Sequence, residues 1–206
     1  MTTATPVHDI TAVILAGGKA RRMDGEDKGL ITLNNRAMID YIITALRPQA
    51  DNLIINANRN QKQYGLYGLP VIADMLDDYL GPLAGMATGM HSTDTSYIVT
   101  VPCDSPFIPE MLVEILYRAL HDNRADISVA HDGVRMQPVF ALLRCDLLPS
   151  LLAYLDEGGR KIDTWYSQHR LAIADFSHSP NTFLNLNTPE DRLILEDRLS
   201  TSHTDA

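Results

Sequence analysis

An apolar run, Ala12-Val13-Ile14-Leu15, passes through Ala16 into Gly17-Gly18, and four cations, Lys19, Arg21, Arg22 and Lys28, fall within the next stretch of ten positions. A short all-apolar run stopped by paired glycines reads as a strand buried on both faces and ending in a tight turn. Glycines let the backbone come close to a ligand, and bare N–H groups beside clustered cations suit a polyphosphate. The competing reading is an ordinary strand-to-helix turn with a solvated basic edge. Two familiar phosphate loops are excluded. The stretch has no G-x-x-x-x-G-K-[ST], and no G-x-G-x-x-G follows the strand, which sets aside P-loop NTPases and dinucleotide oxidoreductases.

The rest of the composition sharpens this point. The 206 residues carry a formal net charge of −9, so nucleic acid and anionic membrane are poor partners. An acidic chain that gathers its cations in one place does so for a local anion. With 45% hydrophobic residues the length fits one domain with a sizeable core. Two cysteines, Cys103 and Cys145, are too few for a disulfide framework and read as free thiols of a reducing compartment. Met1 to Asp9 lacks an apolar signal core, and no apolar run nears the roughly 20 residues of a membrane span. These features predict a soluble, cytoplasmic monomer with flexible tails at 1–9 and 200–206.

Along the chain, apolar patterning alternates strand and helix. Strands are expected at Ala12–Leu15, Leu53–Ile55, Val71-Ile72 and Tyr97–Val101, with an extended segment at Leu30–Leu33 and a turn at Asn34-Asn35. Helices are expected from Met38 to Leu46, from Gly81-Pro82 onward, and after Pro109, read as a first-turn proline, with Met111, Leu112, Ile115, Leu116 and Ala119 as the apolar stripe. This rhythm implies parallel strands, right-handed crossovers and helices on both faces. Ligands of such sheets bind beyond the carboxyl ends of the strands. Gly17, Asn56, Asp74 and Asp104 each fall just past an expected strand end, so they converge on one rim. The second half is less regular. Strands at Ile127–Ala130, Val139–Leu143 and Leu171–Phe176 and an alternating segment Phe183–Asn187 precede a last helix opened by Thr188-Pro189, with Asp191 closing a capping box.

The loop fits L-A-G-G-x-x-x-R-M-x-x-x-x-K, which resembles the signature of sugar-nucleotide and cofactor nucleotidyltransferases. Together with Asn56-Ala57-Asn58-Arg59, Asp74, Gly81-Pro82-Leu83-Ala84-Gly85-Met86, Pro102-Cys103-Asp104 and Asn185-Leu186-Asn187-Thr188-Pro189-Glu190, the chain is similar over nearly its whole length to the molybdenum cofactor guanylyltransferases. The resemblance implies a single-domain, Rossmann-like nucleotidyltransferase fold: α/β, in three layers, with a mixed, mostly parallel sheet. It implies a domain over 10–199, with a GTP-binding part at 10–125 and a molybdopterin-binding part at 126–199. It also implies GTP and Mo-molybdopterin as substrates, Mg²⁺ as cofactor, and transient contacts with proteins that deliver molybdopterin or assemble molybdoenzymes. GTP contacts would fall on Leu15, Ala16, Gly17, Gly18, Lys28, Asn56, Asp74 and Asp104, with Asp104 the metal ligand. Cytosine-using relatives tend to carry alanine where Gly17 stands, so the resemblance leans to guanine.

The implied reaction joins two anions. An acceptor phosphate attacks the α-phosphorus of GTP and pyrophosphate leaves. The nucleophile is already ionised, so no general base is needed, and the difficulty is electrostatic. Lys28 and Arg22 are the candidates for the β- and γ-phosphates. Each assignment has a plainer rival. Asp104 before Ser105-Pro106 can form a turn, Lys28 can be a surface lysine, Asp74 can be a turn residue beside Asp77-Asp78, and Asn56 can bridge backbone. Asn185 and Asn187 either pair with neighbouring backbone or touch the pterin. Arg135, Gln137 and Arg160 are open candidates for the acceptor's phosphate, and no spacing selects among them. His131 and Cys103 read as structural. The alternatives are a cytidylyltransferase for molybdopterin or an alditol phosphate, and a GTP-binding domain without turnover. Gly17 and the G-P-L-A-G segment speak against the first, and the presence of Asp104 and Lys28 against the second.

Overall fold

The computed structural model describes residues 9–17, 27–76 and 81–201. Nine strands and seven α-helices follow in chain order among them: β1 Ile10–Leu15, β2 Thr32–Leu33, β3 Arg36–Ala37, α1 Met38–Leu46, β4 Asn52–Asn56, α2 Gln61–Gly65, β5 Val71–Ile72, α3 Pro82–His91, β6 Tyr97–Pro102, α4 Leu112–Asp122, β7 Ile127–His131, β8 Met136–Arg144, α5 Leu148–Asp156, α6 Ile162–Tyr166, β9 Leu171–Asp175 and α7 Pro189–Thr201. Seven strands form one sheet in the order β5-β4-β1-β6-β8-β7-β9. Its pairs are parallel except β6–β8 and β7–β8, so β8 alone runs against the rest. The mixed, mostly parallel, three-layer architecture is the expected one.

Each central strand is buried on both faces, which is why it reads as an unbroken apolar run. Ile10, Ala12 and Ile14 of β1 join the core beneath α1 and α4, with Tyr64 of α2. Val13 points the other way and packs with Leu83, Met86 and Met90 of α3 and Trp165 of α6. A satellite core joins Leu33 of β2 and Met38 of α1 to Leu186 and Leu195, tying α7 to the small β2–β3 hairpin. That hairpin turns on Asn34-Asn35, both at positive φ (47° and 62°), the conformation of the turn that matches strand twist.

Helix α3 is buried on nearly every side, from Leu83 to Met90, because it lies directly on β1 and β4. Gly85 permits that approach. A Cβ there would stand 2.4 Å from Oδ1 of Asn56 and 2.7 Å from Cδ2 of Leu15.

Five local expectations need correction. Pro109 lies ahead of α4 rather than in its first turn, its carbonyl accepting the Leu112 N–H at 3.1 Å. Of the expected α4 stripe, Leu112 and Leu116 are buried and Ile115 and Ala119 pack partly buried against the core, but Met111 is exposed because it caps the helix rather than lying in it. Leu30–Leu33 is not one extended piece, since a 3₁₀ turn, Lys28–Leu30, precedes β2. Phe183–Asn187 is no strand: Phe183 ends a 3₁₀ turn, and the following residues are irregular. Asp9 and residues 200–201, expected within the tails, have defined backbone places. Asp9 and Ile10 N–H groups donate to the Asp51 carboxylate at 2.6 and 3.0 Å, and α7 continues to Thr201. Residues 1–8 and 202–206, like Asp77-Asp78, lie outside the described residues.

Candidate functional site

The carboxyl ends of β5, β4, β1 and β6 and the beginning of antiparallel β8 share one edge of the sheet. In strand order that edge presents Asp74, Asn56, Gly17, Asp104 and Gln137. All five line one cavity of about 490 Å³. The volume lies within the range of small-molecule sites. Leu15, Gly81 and Pro82 complete one side, and Arg135, Pro138 and Phe140 line the other.

The first side is organised about the Asp74 carboxylate. Oδ1 accepts from Nδ2 of Asn56 at 2.9 Å, and Oδ2 accepts from Nδ2 of Asn58 at 2.7 Å. Asn58 Oδ1 accepts the Asp74 N–H at 2.7 Å, so the two residues are bonded reciprocally. The buried Asn56 amide also donates to the Ile72 carbonyl at 3.2 Å. A carboxylate has four acceptor positions, so this one keeps capacity for a ligand's donors. The N-A-N spacing follows from alternation: Asn56 and Asn58, two apart, reach the same carboxylate. Gly17 faces this group. A Cβ at Gly17 would lie 3.2 Å from Asn58 Nδ2, 3.5 Å from Asn56 Oδ1 and 3.8 Å from Asp74 Oδ2. Ala16 is buried, and its N–H is committed to the Asn56 carbonyl at 2.8 Å.

The centre of the site is Asp104, just beyond β6. Its Oδ2 takes the ammonium of Lys28 at 3.0 Å. Its Oδ1 is buried and accepts no hydrogen bond from the described residues. Buried polar atoms are nearly always satisfied, so this oxygen marks a place for a further partner. A hard cation fits it: Mg²⁺ is commonly held by one or two carboxylates, with substrate phosphates and waters completing the set. Among the described residues no three His, Cys, Asp or Glu side chains cluster to hold an ion unaided.

Lys28 is placed from two directions. Before it, Asp27 is buried and accepts from the Tyr64 hydroxyl at 2.5 Å and from Asn60 Nδ2 at 3.3 Å. Burial first, then the neighbouring Cys103 and Asp27, pushes the Tyr64 pKa up, so the hydroxyl remains a donor. After it in sequence but beside it in space, Asn187 Oδ1 accepts from Lys28 Nζ at 2.7 Å. The Asn185–Asn187 segment lies over the end of β6. The Ser105 hydroxyl bonds Asn185 Oδ1, and the Leu186 N–H donates to the Asp104 carbonyl at 2.9 Å. The Thr188–Asp191 capping box anchors it: the Asn187 and Thr188 N–H groups donate to Asp191 Oδ2 at 2.9 and 2.8 Å, and the Asp191 N–H donates to Thr188 Oγ1 at 3.1 Å.

Of the expected site residues, the structure thus brings together Leu15, Gly17, Lys28, Asn56, Asp74 and Asp104, with Ala16 at the strand end behind them. Gly18 and Arg22 lie outside the described residues. Arg135 and Gln137 line the cavity. Arg160 does not, since its Nη1 donates to the Leu155 and Gly159 carbonyls at 2.8 and 2.6 Å and caps α5. Cys103 is buried, and that burial pushes its thiol well up, so it is structural as expected. His131 accepts the Gly133 N–H at 3.1 Å in a turn. Sequence reasoning missed Asn58, Tyr64 and Ser105. Asn58 could have been found from its same-face spacing to Asn56, whereas Tyr64 and Ser105 carry no local signal.

A family model described as the MobA-like NTP transferase domain matches residues 12–171. The chain is 50% identical over 191 residues to a molybdenum cofactor guanylyltransferase of Shewanella sediminis (strain HAW-EB3), covering 93% of this chain and 97% of the relative. It is 49% identical over 193 residues to a molybdenum cofactor guanylyltransferase of Shewanella sp. (strain MR-4), covering 94% and 98%. Among solved structures it resembles the molybdopterin-guanine dinucleotide biosynthesis protein A of Archaeoglobus fulgidus, with a TM-score of 0.75 at 19% identity, covering 93% and 99% of the two chains. At that identity the structural likeness speaks for the fold.

Proposed function

The chain belongs to the MobA-like NTP transferase domain family, and from that footing we propose that it transfers GMP from GTP to Mo-molybdopterin, forming molybdopterin guanine dinucleotide and releasing pyrophosphate. Its relatives at about half identity carry the name molybdenum cofactor guanylyltransferase. The observation that carries the mechanism is the order along the sheet edge: Asp74, Asn56 and Gly17 on one side, Asp104 central, and β8 beyond.

The base lies on the β4–β5 side. The free acceptor positions of Asp74, fixed by Asn56 and Asn58, take the N–H groups of the guanine edge. Gly17 leaves that space open for a purine. The triphosphate then runs along the loop toward Lys28, whose ammonium has three donors and already uses two, on Asp104 and Asn187. The third would meet a β- or γ-phosphate oxygen, a load that Arg22 is proposed to share. The buried oxygen of Asp104 would hold Mg²⁺, which would supply charge neutralisation for the phosphates. The acceptor phosphomonoester is ionised at neutral pH, its second pKa being about 6. An acceptor oxygen forms the bond to the α-phosphorus as the bond to the bridging oxygen breaks, and Lys28 and Arg22 balance the charge that builds on pyrophosphate. The residues hold and orient two anions, and none of them removes a proton from the nucleophile. We place the reaction in the cytoplasm, on a monomer served by proteins that deliver molybdopterin. Among the described residues no helix is long and apolar enough to cross a membrane.

A pyrophosphate-release assay tests the reading. Release should require GTP, Mg²⁺ and Mo-molybdopterin together. Equal release with CTP would overturn the guanine assignment.

A further inference from the structure

The side of the cavity proposed for the nucleotide is formed by Asp74, Asn56 and Gly17, and the opposite wall is built by an irregularity in the sheet. β7 and β8 pair Val129 with Ala141 but Ala130 with Gln137, so Pro138, Val139 and Phe140 have no partner on β7. All three line the cavity. Pro138 has no N–H to leave unpaired, so it suits a bulge inside a central strand. The Thr100 hydroxyl of β6 donates to the Val139 carbonyl at 2.7 Å and fixes the bulge from the other side.

The connection leading into β8 is equally fixed. Oδ1 of Asp132 accepts the Val134 and Arg135 N–H groups, both at 2.8 Å, and Oδ2 accepts from Nε2 of Gln137 at 2.7 Å. These bonds, that of Arg135 foremost, hold the Asp132 carboxyl below the usual carboxylate range. Arg135 is therefore exposed on a rigid turn beside the cavity, and it is the one cation lining it among the described residues. None of the salt bridges among the described residues engages its guanidinium. Two carboxylates, Asp74 and Asp104, line the same cavity, so among the described residues lining it Arg135 is the counter-charge that an anion entering from the β8 side would meet.

We propose that Arg135, set by Asp132, binds the phosphomonoester of the acceptor on the β8 side of Asp104. This rests on the guanylyl-transfer reading. A guanidinium fork matches a phosphate in geometry and charge. Entry from β8 also puts the acceptor across Asp104 from the nucleotide, as an in-line displacement requires.

The test is steady-state kinetics on the full chain, varying Mo-molybdopterin at saturating Mg-GTP and then the reverse. Arg135→Ala should raise the acceptor KM about tenfold or more, with the GTP KM within about twofold of wild type. Arg135→Lys should recover part of the loss, and Val134→Ala, at the exposed neighbour, should behave as wild type. An unchanged acceptor KM in Arg135→Ala, or an equal rise in the GTP KM, overturns the proposal. If the wild-type chain transfers no GMP at all, the guanylyl-transfer reading fails instead. Calorimetric titration of Mo-molybdopterin alone then decides the role of Arg135: weaker binding by Arg135→Ala upholds it, and equal binding overturns it.

Discussion

The ammonium of Lys28 stands 3.0 Å from Oδ2 of Asp104, although 76 positions separate the two residues in the chain. The pair joins the phosphate loop to the end of the central strand β6, and Asn187 adds the C-terminal segment to the same ammonium at 2.7 Å. Asp104 Oδ2 is thus spent on a lysine, while Oδ1 is buried and accepts no hydrogen bond from the described residues. The turn that carries Lys28, the sheet and the C-terminal segment meet at this one charge pair.

Asp104→Asn keeps the shape of the side chain and removes its charge. Turnover should fall about 100-fold or more, the range seen when one group that stabilises transition-state charge is lost. Raising Mg²⁺ should not restore it, and a circular-dichroism spectrum like wild type would show that the fold is kept. Turnover within a few-fold of wild type would remove Asp104 from the metal site.

Gly17→Ala adds a methyl group 3.2 Å from Asn58 Nδ2 and facing Asp74. The kcat/KM for GTP should fall about tenfold or more, the scale on which one added carbon alters a fitted pocket. Preference between GTP and CTP should shift toward CTP, measured by competition in one reaction. An unaltered ratio would mean that Gly17 is not beside the base.

Tyr64 touches no substrate in this account and acts through Asp27 on the backbone that carries Lys28. Tyr64→Phe removes one hydrogen bond to a buried carboxylate, a change of roughly 1–3 kcal/mol. Turnover should drop about tenfold in Tyr64→Phe, and adding Lys28→Ala to it should cost little more than Lys28→Ala alone. Full additivity in that double-mutant cycle would show Tyr64 to be merely structural.

Much of this site was legible in the sequence. Short apolar runs marked the buried strands, and the polar residues at their ends, Gly17, Asn56, Asp74 and Asp104, fell on one rim because parallel strands all finish on the same side. What escaped depends on contacts distant in the chain. The alternation of Phe183–Asn187 imitates a strand, but Asn185 and Asn187 use their side chains on Ser105 and Lys28 instead of a ladder. The bulge at Pro138 did have a local signal, since proline in a central strand implies one. The clamp of Tyr64 on Asp27 had none, because nothing near Tyr64 announces that α2 returns to the loop.

Asp126 makes a prediction about stability. Bonds from the Arg170 side chain foremost, with Arg144 contributing charge, lower its carboxyl pKa to about 2. An unfolded aspartate titrates near 3.9. Because the folded value is the lower, the stabilisation is complete above about pH 4 and is lost as pH falls through about 2. Both arginines are well exposed, so solvent keeps the effect modest. Asp126→Asn should lower Tm by a few degrees at pH 7, and the gap to wild type should close on acidification. A gap that stays constant down to pH 2 would contradict this.

In the proposed reaction one cation-rich loop and one carboxylate bring a guanine nucleotide to an anionic acceptor for transfer of its α-phosphoryl group. The direct measurement is incubation of the chain with α-labelled GTP, Mg²⁺ and Mo-molybdopterin, followed by separation of the products. The label should appear in a pterin dinucleotide in one-to-one ratio with pyrophosphate, and α-labelled CTP should give little. Label that stays in GTP, or that leaves as free GMP without entering the pterin, would contradict the account.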